Sequence, residues 1–213
     1  MMLQALPWLA ASYLLGAIPT SYLVARAFGG IDLRTVGSRN LGATNLYRVM
    51  GWKYAVPVGL FDVAKGAIPV WIFGPRVPEI PFFPVLCGAM AVIGHVFSVF
   101  VRFRGGKGVA TAAGVIAGLA PWAFLVVAVI WVVVVRVTGY VSLGSVIGAS
   151  LFPLADWLLQ PGRRTPINLG MDLLLAGFIV WKHRANLERL VKGTEHRFGK
   201  RGKDPGTAAT PAQ

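Results

Sequence analysis

The run Val109–Val135 reads VATAAGVIAGLAPWAFLVVAVIWVVVV, 27 residues without a charge. A helix that crosses the hydrocarbon core of a bilayer needs about 20 mostly apolar residues. The run is long for one span and short for two. It is broken by Ala120-Pro121-Trp122. A proline in a helix interior removes a hydrogen bond and clashes with the preceding turn. Read as one helix, the run gives the chain six spans. Read as two short helices meeting at Pro121, it gives seven.

Outward from it, Leu6–Ala25, Tyr54–Gly74 and Pro81–Val101 precede, and Val141–Leu159 and Leu169–Trp181 follow. All but the last are apolar over close to the length of a span; the last, 13 residues, is read as extending at either end. Only 14% of the 213 residues are charged, against about 25% in a soluble domain. Composition and pattern therefore agree on a membrane protein. Positive charge then arbitrates between six spans and seven. Basic residues gather in 29–53 (Arg34, Arg39, Arg48, Lys53), after the third span (Arg102, Arg104, Lys107), and from Lys182 onward. Cytoplasmic loops carry the excess of Lys and Arg. Seven spans with the N-terminus outside put all three clusters in the cytoplasm; six leave the basic tail outside. Seven leave Arg163 and Arg164 on the outer side, the smaller violation. The expected fold is thus all-α and polytopic, with seven transmembrane helices, the N-terminus outside and the C-terminus cytoplasmic. Residues 1–195 form one membrane domain. Residues 196–213 form a basic, disordered tail, with polar Gly/Pro/Lys composition already setting in at Gly193.

The balance of 21 Lys and Arg against 8 Asp and Glu gives a net charge of +13. In a membrane chain this points to anionic lipid or an anionic substrate rather than to nucleic acid. The single cysteine, Cys87, cannot form an internal disulfide, and no Cys/His cluster offers a metal site. Met1 to Ala5 lacks the basic segment of a cleavable signal.

Four polar stretches then share one membrane face. Gly37-Ser38-Arg39-Asn40-Leu41-Gly42-Ala43-Thr44-Asn45, followed by Arg48, mixes donors with small residues that let backbone amides approach an anion. Its plain alternative is a polar loop opening the next helix. Arg104-Gly105-Gly106-Lys107-Gly108 feeds a helix at Val109, a ready phosphate site. It is not a Walker A loop, because Gly108 follows Lys107 where that motif needs Ser or Thr. Its alternative is a basic hinge on lipid headgroups. In Lys182–Leu190, helical spacing puts His183, Asn186, Leu187 and Leu190 on one face, with Arg184, Glu188 and Arg189 largely elsewhere. An interfacial helix resting on phospholipid is the alternative there. Arg136–Ser145 re-enters the membrane with Ser142 and Ser145, which could equally be ordinary helix caps. Within the spans, Asp62 and Lys65 are three apart and read as a local ion pair or a substrate contact; His95 reads as an interhelical hydrogen bond. The set is rich in cations and donors and poor in general bases. It suits phosphate-bearing substrates, one of which supplies its own base.

These motifs, in this order and spacing, resemble the bacterial acyl-phosphate:glycerol-3-phosphate acyltransferases of the PlsY type. The likeness runs from the first span to Glu195. Its anchors are Gly37-Ser38, Asn40, Gly42–Asn45 and Arg48; Gly94-His95 leading to Gly105–Thr111; Tyr140–Leu143; and His183, Asn186, Arg189-Leu190 and Gly193–Glu195. Departures are Arg39 and Leu41, where Gly and Pro are common in that family, and Ser98, where Pro is common.

The resemblance implies a seven-span enzyme of the bacterial inner membrane, with its site at the cytoplasmic side. It would pass a fatty acyl group from acyl phosphate to the 1-hydroxyl of glycerol 3-phosphate, giving lysophosphatidate and phosphate. Acyl-CoA and acyl carrier protein would not be direct donors, no cofactor or metal would be used, and the protein would work as a monomer. Ser38, Arg48, Lys107, His183 and Asn186 would carry catalysis. Arg48 and Lys107 would neutralise two phosphates, while His183 and Asn186 orient one. Asn40, Thr44, Asn45, Gly105, Gly106, Gly108, Ser142 and Ser145 would bind substrate, and Glu195 would tie the tail. The rival class is a carrier for an anionic small molecule. It would gather the same cations, but nearer the bilayer midplane.

Overall fold

The computed structural model describes residues 2–198. The greater part of the expected tail, 199–213, lies outside the described residues. The described chain is helical, with no strand: α1 (Met2–Ala17), α2 (Thr20–Gly29), α3 (Ala43–Met50), α4 (Trp52–Ile68), α5 (Phe83–Val96), α6 (Val109–Leu119), α7 (Pro121–Thr138), α8 (Val141–Leu159), α9 (Pro166–Lys182) and α10 (Arg184–Val191). Beyond Ile68, α4 continues through a π-turn (Pro69–Phe73) and a 3₁₀ turn (Gly74–Arg76). The irregularity starts at Pro69, which has no N–H to continue the ladder.

Five stretches are long and apolar enough to cross a membrane: Leu3–Gly29, Trp52–Arg76, Phe83–Val101, Pro121–Thr138 and Val141–Leu159. The molecule is therefore a multi-pass membrane protein. Large apolar side chains crowd its outer surface, among them Leu60, Trp71, Val129, Val133 and Leu174. Lipid solvates that surface as a core would. The decisive run does split where expected. Ala120 leaves helical geometry (φ −143, ψ 66) and Pro121 opens α7, where its missing N–H has no partner to lose. The 11 residues of α6 rise only about 16 Å, half the thickness of the hydrocarbon core.

The first span is not one helix, as its composition had led us to expect. It breaks between α1 and α2 at Ile18-Pro19, and the break exposes carbonyls inside the bundle. Ile18 O accepts from Lys65 Nζ at 2.8 Å, and Ala17 O accepts from Ser98 Oγ. Lys65 also pairs with Asp62 at 2.8 Å, so the local ion pair read from the sequence is present and nearly water-free. His95 Nδ1 stands 4.0 Å from the same carboxylate. That contact crosses from α5 to α4 but is too long for the hydrogen bond expected of it.

Packing draws α6 tightly onto α4. A Cβ on Gly66 would lie 2.0 Å from Thr111 O, and one on Gly114 would lie 1.9 Å from Val63 O. Small residues at such crossings let helix backbones touch, the usual basis of helix association in lipid. At the far end of α8 and α9, Arg163 Nε lies 3.0 Å from Asp156 and its Nη2 lies 3.3 Å from Asp172. Arg164 donates to Trp157 O and Leu158 O, closing the C-terminus of α8. The two cations that counted against seven spans are thus engaged locally, Arg163 with two carboxylates.

Candidate active site

The first polar stretch is a loop only as far as Gly42; α3 begins at Ala43. Sequence reading missed this helix, because eight residues with Asn, Thr and Arg give little apolar signal. Asn45, 1% exposed, organises what precedes it. Its Oδ1 accepts from Ser38 N at 2.8 Å, and its Nδ2 donates to Leu33 O and Val36 O. Asn45 was expected to contact substrate. It lines the main cavity, and its amide is bound to the loop that presents Ser38. One turn on, α3 carries Arg48 to the same cavity wall as Ser38, Asn40 and Thr44.

The glycine turn also differs from expectation. Gly105 N donates to Val96 O and Gly106 N to His95 O, so neither amide is offered to an anion. Their lack of side chains answers a packing need. A Cβ on Gly105 would lie 1.9 Å from His95 O, and one on Gly106 would lie 2.3 Å from His95 Nε2. Gly105 and Gly106 therefore fit the turn against α5 and are absent from the wall of the main cavity, whereas Lys107 and Gly108 line it. Gly108 takes the left-handed conformation (φ 82) that turns the chain into α6.

Lys107 Nζ donates to Asn186 Oδ1 at 2.6 Å. Asn186 Nδ2 donates to Glu195 Oε1 at 2.6 Å, Ser142 Oγ donates to the same oxygen at 2.8 Å, and Arg189 Nε reaches Glu195 Oε2 at 2.7 Å. Glu195 is thus the buried hub joining the turn before α6, the start of α8 and α10. It does more than tie a tail. Burial raises its pKa, but the hydrogen bonds from Asn186, Ser142 and Arg189 outweigh this and hold it below the usual value. Arg189, read as pointing away, serves this hub. The segment after Gly193, read as the onset of disorder, is fixed in its described part. Phe198 N donates to Gly139 O at 2.7 Å, and its ring stacks on Tyr47 with centroids 4.6 Å apart.

His183 does not share a helix with Asn186. It sits at the junction of α9 and α10 (φ −100, ψ 4). Both are nonetheless buried and line the cavity. His183 Nδ1 lies 2.8 Å from Ile179 O. A carbonyl only accepts, so Nδ1 carries the proton and Nε2 keeps its lone pair. Burial, then the nearby Lys107 charge, lower the His183 pKa to about 4. Burial likewise lowers Lys107 to about 8, against the opposing pull of Glu195. Near neutral pH the site thus pairs a neutral imidazole with a protonated lysine.

These groups face one cavity of about 550 Å3. One part of the wall carries Ser38, Asn40, Thr44, Arg48, Lys107, His183 and Asn186, and Asp62 and His95 line it too. The rest of its wall is largely apolar, with Ile116, Phe124, Val127, Trp131 and Phe152 from α6, α7 and α8. Ser142 and Ser145 also line the cavity, but Ser142 donates to Glu195 and Ser145 to Val141 O. Among the described residues no three His, Cys, Asp or Glu side chains could hold a metal ion. A cationic, donor-rich head beside an apolar channel fits an amphiphile with a phosphate or similar anion at one end.

Residues 6–193 match the family model for glycerol-3-phosphate acyltransferase. The glycerol-3-phosphate acyltransferase of Desulforudis audaxviator is 48% identical over 189 residues, covering 88% of this chain and 92% of that protein. The Geobacter sulfurreducens protein of the same name is 41% identical, covering 92% and 99%. The crystal structure of PlsY, an integral membrane glycerol 3-phosphate acyltransferase, superposes in its glycerol 3-phosphate form with a TM-score of 0.83. That match has 38% identity and covers 92% of this chain and 96% of that one. The lysophosphatidic acid form gives a TM-score of 0.80 at 36% identity, covering 92% and 95%. With the match spanning nearly all of the described chain, this protein belongs to the glycerol-3-phosphate acyltransferase family, as a PlsY-type integral membrane enzyme.

Proposed function

We propose that the enzyme transfers a fatty acyl group from acyl phosphate to the 1-hydroxyl of glycerol 3-phosphate, at the cytoplasmic face of the bacterial inner membrane. The observation that carries this reading is the single cavity with a cationic head and an apolar channel. Glycerol 3-phosphate and the phosphate of the donor would occupy the head. The acyl chain would lie along Phe124, Val127 and Trp131 toward half-exposed Val132, which borders the lipid side. That the related PlsY is known in a glycerol 3-phosphate form and a lysophosphatidic acid form supports one site for substrate and product.

The reaction needs no covalent enzyme intermediate. The hydroxyl oxygen attacks the carbonyl carbon of a mixed anhydride and forms the ester C–O bond. The bond from that carbon to the phosphate oxygen breaks, and the hydroxyl proton leaves with the phosphate. The protein's task is to bring two repelling anions together and hold them in line. Arg48 and Lys107 neutralise them. His183 Nε2 accepts from a glycerol hydroxyl and so orients it. Ser38 and Thr44 donate to phosphate, with Asn40 beside them. Asn186 holds Lys107 in place, and Asn45, Gly105 and Gly106 shape the backbone behind these groups. The working unit is the monomer, with seven spans and no metal.

The direct test is incubation of purified protein with acyl phosphate and radiolabelled glycerol 3-phosphate, with acyl-CoA and acyl carrier protein thioester as competing donors. Labelled lysophosphatidate and stoichiometric phosphate from acyl phosphate alone are expected. Turnover with a thioester and none with acyl phosphate would overturn the donor assignment.

A further inference from the structure

The Arg104–Gly108 turn borders two cavities. Lys107 and Gly108 line the first; Arg104 and Gly105 line a second, of about 410 Å3. The remaining wall of the second is Arg34, Arg39, Val96, Phe103 and Lys182, four cations in all with Arg104 and no carboxylate among them. Arg34 is already answered by Asp32 at 2.7 Å. Arg39 and Arg104 have no acidic side chain within ion-pair distance among the described residues. Lys182 Nζ rests over the rings of Phe97 and Trp181, at 5.5 and 5.4 Å, contacts that leave its charge intact. Three like charges thus share one concavity without a counter-ion, an arrangement that favours an anion.

The backbone and the rim point the same way. Arg39 holds φ 56 and Phe103 φ 61, the left-handed region in which a glycine would be unstrained and a larger residue is not. Strain kept at a cation-lined cavity is a reason to look for a ligand. Phe103 and Phe100, 60% and 58% exposed, and half-exposed Trp181 flank the cations with aromatic surface. Aromatic groups and Lys or Arg together mark the level of lipid headgroups. The sequence positions matter as well. Arg39 adjoins Ser38, Arg104 precedes Lys107 by three residues, and Lys182 adjoins His183. An anion held by these three cations would tie together the three segments that carry the main cavity's polar groups.

We infer that the second cavity binds a phosphate group, carried by a phospholipid headgroup or free in solution, separately from the substrates in the first. The inference does not depend on which acyl donor is used. The test is the thermal unfolding midpoint of the purified full chain in phosphatidylcholine nanodiscs. These are compared with discs doped with phosphatidylglycerol and, separately, with pure discs titrated with inorganic phosphate. One or both additions should raise the midpoint in a dose-dependent way. A shift with phosphatidylglycerol alone assigns the headgroup, and one with phosphate alone assigns the free anion. The shift should shrink in Arg39→Gly/Arg104→Gln and less so in Arg39→Gly alone, a change that relieves backbone strain; in the Lys107→Ala background, where the first cavity has lost a phosphate ligand, the double change should abolish it. It should persist in Arg136→Gln, an exposed cation outside the cavity, and in Lys107→Ala. No shift in the unaltered protein, a shift that survives the double change in the Lys107→Ala background, or equal loss in Arg136→Gln or Lys107→Ala alone would overturn the site.

Discussion

Lys107 is where burial and charge conflict most directly. It is largely withdrawn from water, its ammonium group bound to Asn186, and its pKa lowered to about 8. A lysine contacting a desolvated phosphate should cost about 2–5 kcal/mol when removed, and far less at a wet rim. Lys107→Ala should therefore lower kcat/KM by roughly 30-fold to several thousand-fold. If Lys107 were only a lipid anchor, specific activity would stay near normal and Lys107→Arg would be silent. The required form is the protonated one, so activity should hold up to about pH 8 and fall above it as that proton is lost. In Lys107→Arg the alkaline fall should disappear, because a guanidinium stays charged, although its shape should slow turnover. A pH profile of kcat/KM on folded, detergent-purified variants decides both points. The sequence made Lys107, Arg48 and Ser38 legible because cations and hydroxyls among glycines have few other uses. It could not separate Gly105 and Gly106, which fit against His95, from residues that face the cavity. Nor could it show Glu195 joining Ser142, Asn186 and Arg189, since a carboxylate beside an anion site reads as repulsive until its partners are seen.

Among the elements, the long apolar runs were legible as helices because lipid demands length: Val141–Leu159 is α8 as read, while the end of α5 and the start of α9 fall five and three residues from those read. The short ones were not. α3 has no composition of its own and is set by Asn45, which binds the loop before it; the break at Ile18-Pro19 carries the same proline signal as Pro121, but only the structure shows its freed carbonyl held by Lys65. The α8–α9 junction shows the same limit. Arg163 looked like a misplaced loop cation and is the clasp between Asp156 and Asp172, both buried. Removing one partner of a buried pair leaves uncompensated charge and is destabilising by about 3–5 kcal/mol. Arg163→Ala should lower the unfolding temperature markedly, while activity per folded molecule survives, because none of the three clasp residues lines the cavity. Arg163→Ala with Asp156→Asn and Asp172→Asn should recover much of the loss. A triple variant no better than the single would mean that the ion pairs are not what holds α8 to α9.

For the whole molecule the open quantity is orientation. Two segments set it, α6 and α9, which at 11 and 17 residues fall short of the five long stretches. If α6 and α7 together make one crossing, the chain ends on the side opposite to the one expected. If each crosses, the turn at Lys107 and the junction at His183 face the same compartment. The shared cavity favours the second case, because Ser38, Lys107 and His183 line one wall system and Lys107 bonds directly to Asn186 of α10. The charges agree, since Arg163 is neutralised in place and Arg164 is bound to backbone carbonyls, leaving the uncompensated cations around Arg39, Arg104 and Lys182. The expected outcome is cytoplasmic placement of Thr35 and outer placement of Thr165. Both residues are exposed, and each follows a break in regular structure, so a cysteine there should be tolerated. With Cys87 replaced, an impermeant maleimide added to intact cells should label Thr165→Cys. Thr35→Cys should react only after the membrane is opened. Labelling of both from the same side would remove the seven-span arrangement. It would also force α6 and α7 to be redrawn as one crossing bent at Pro121.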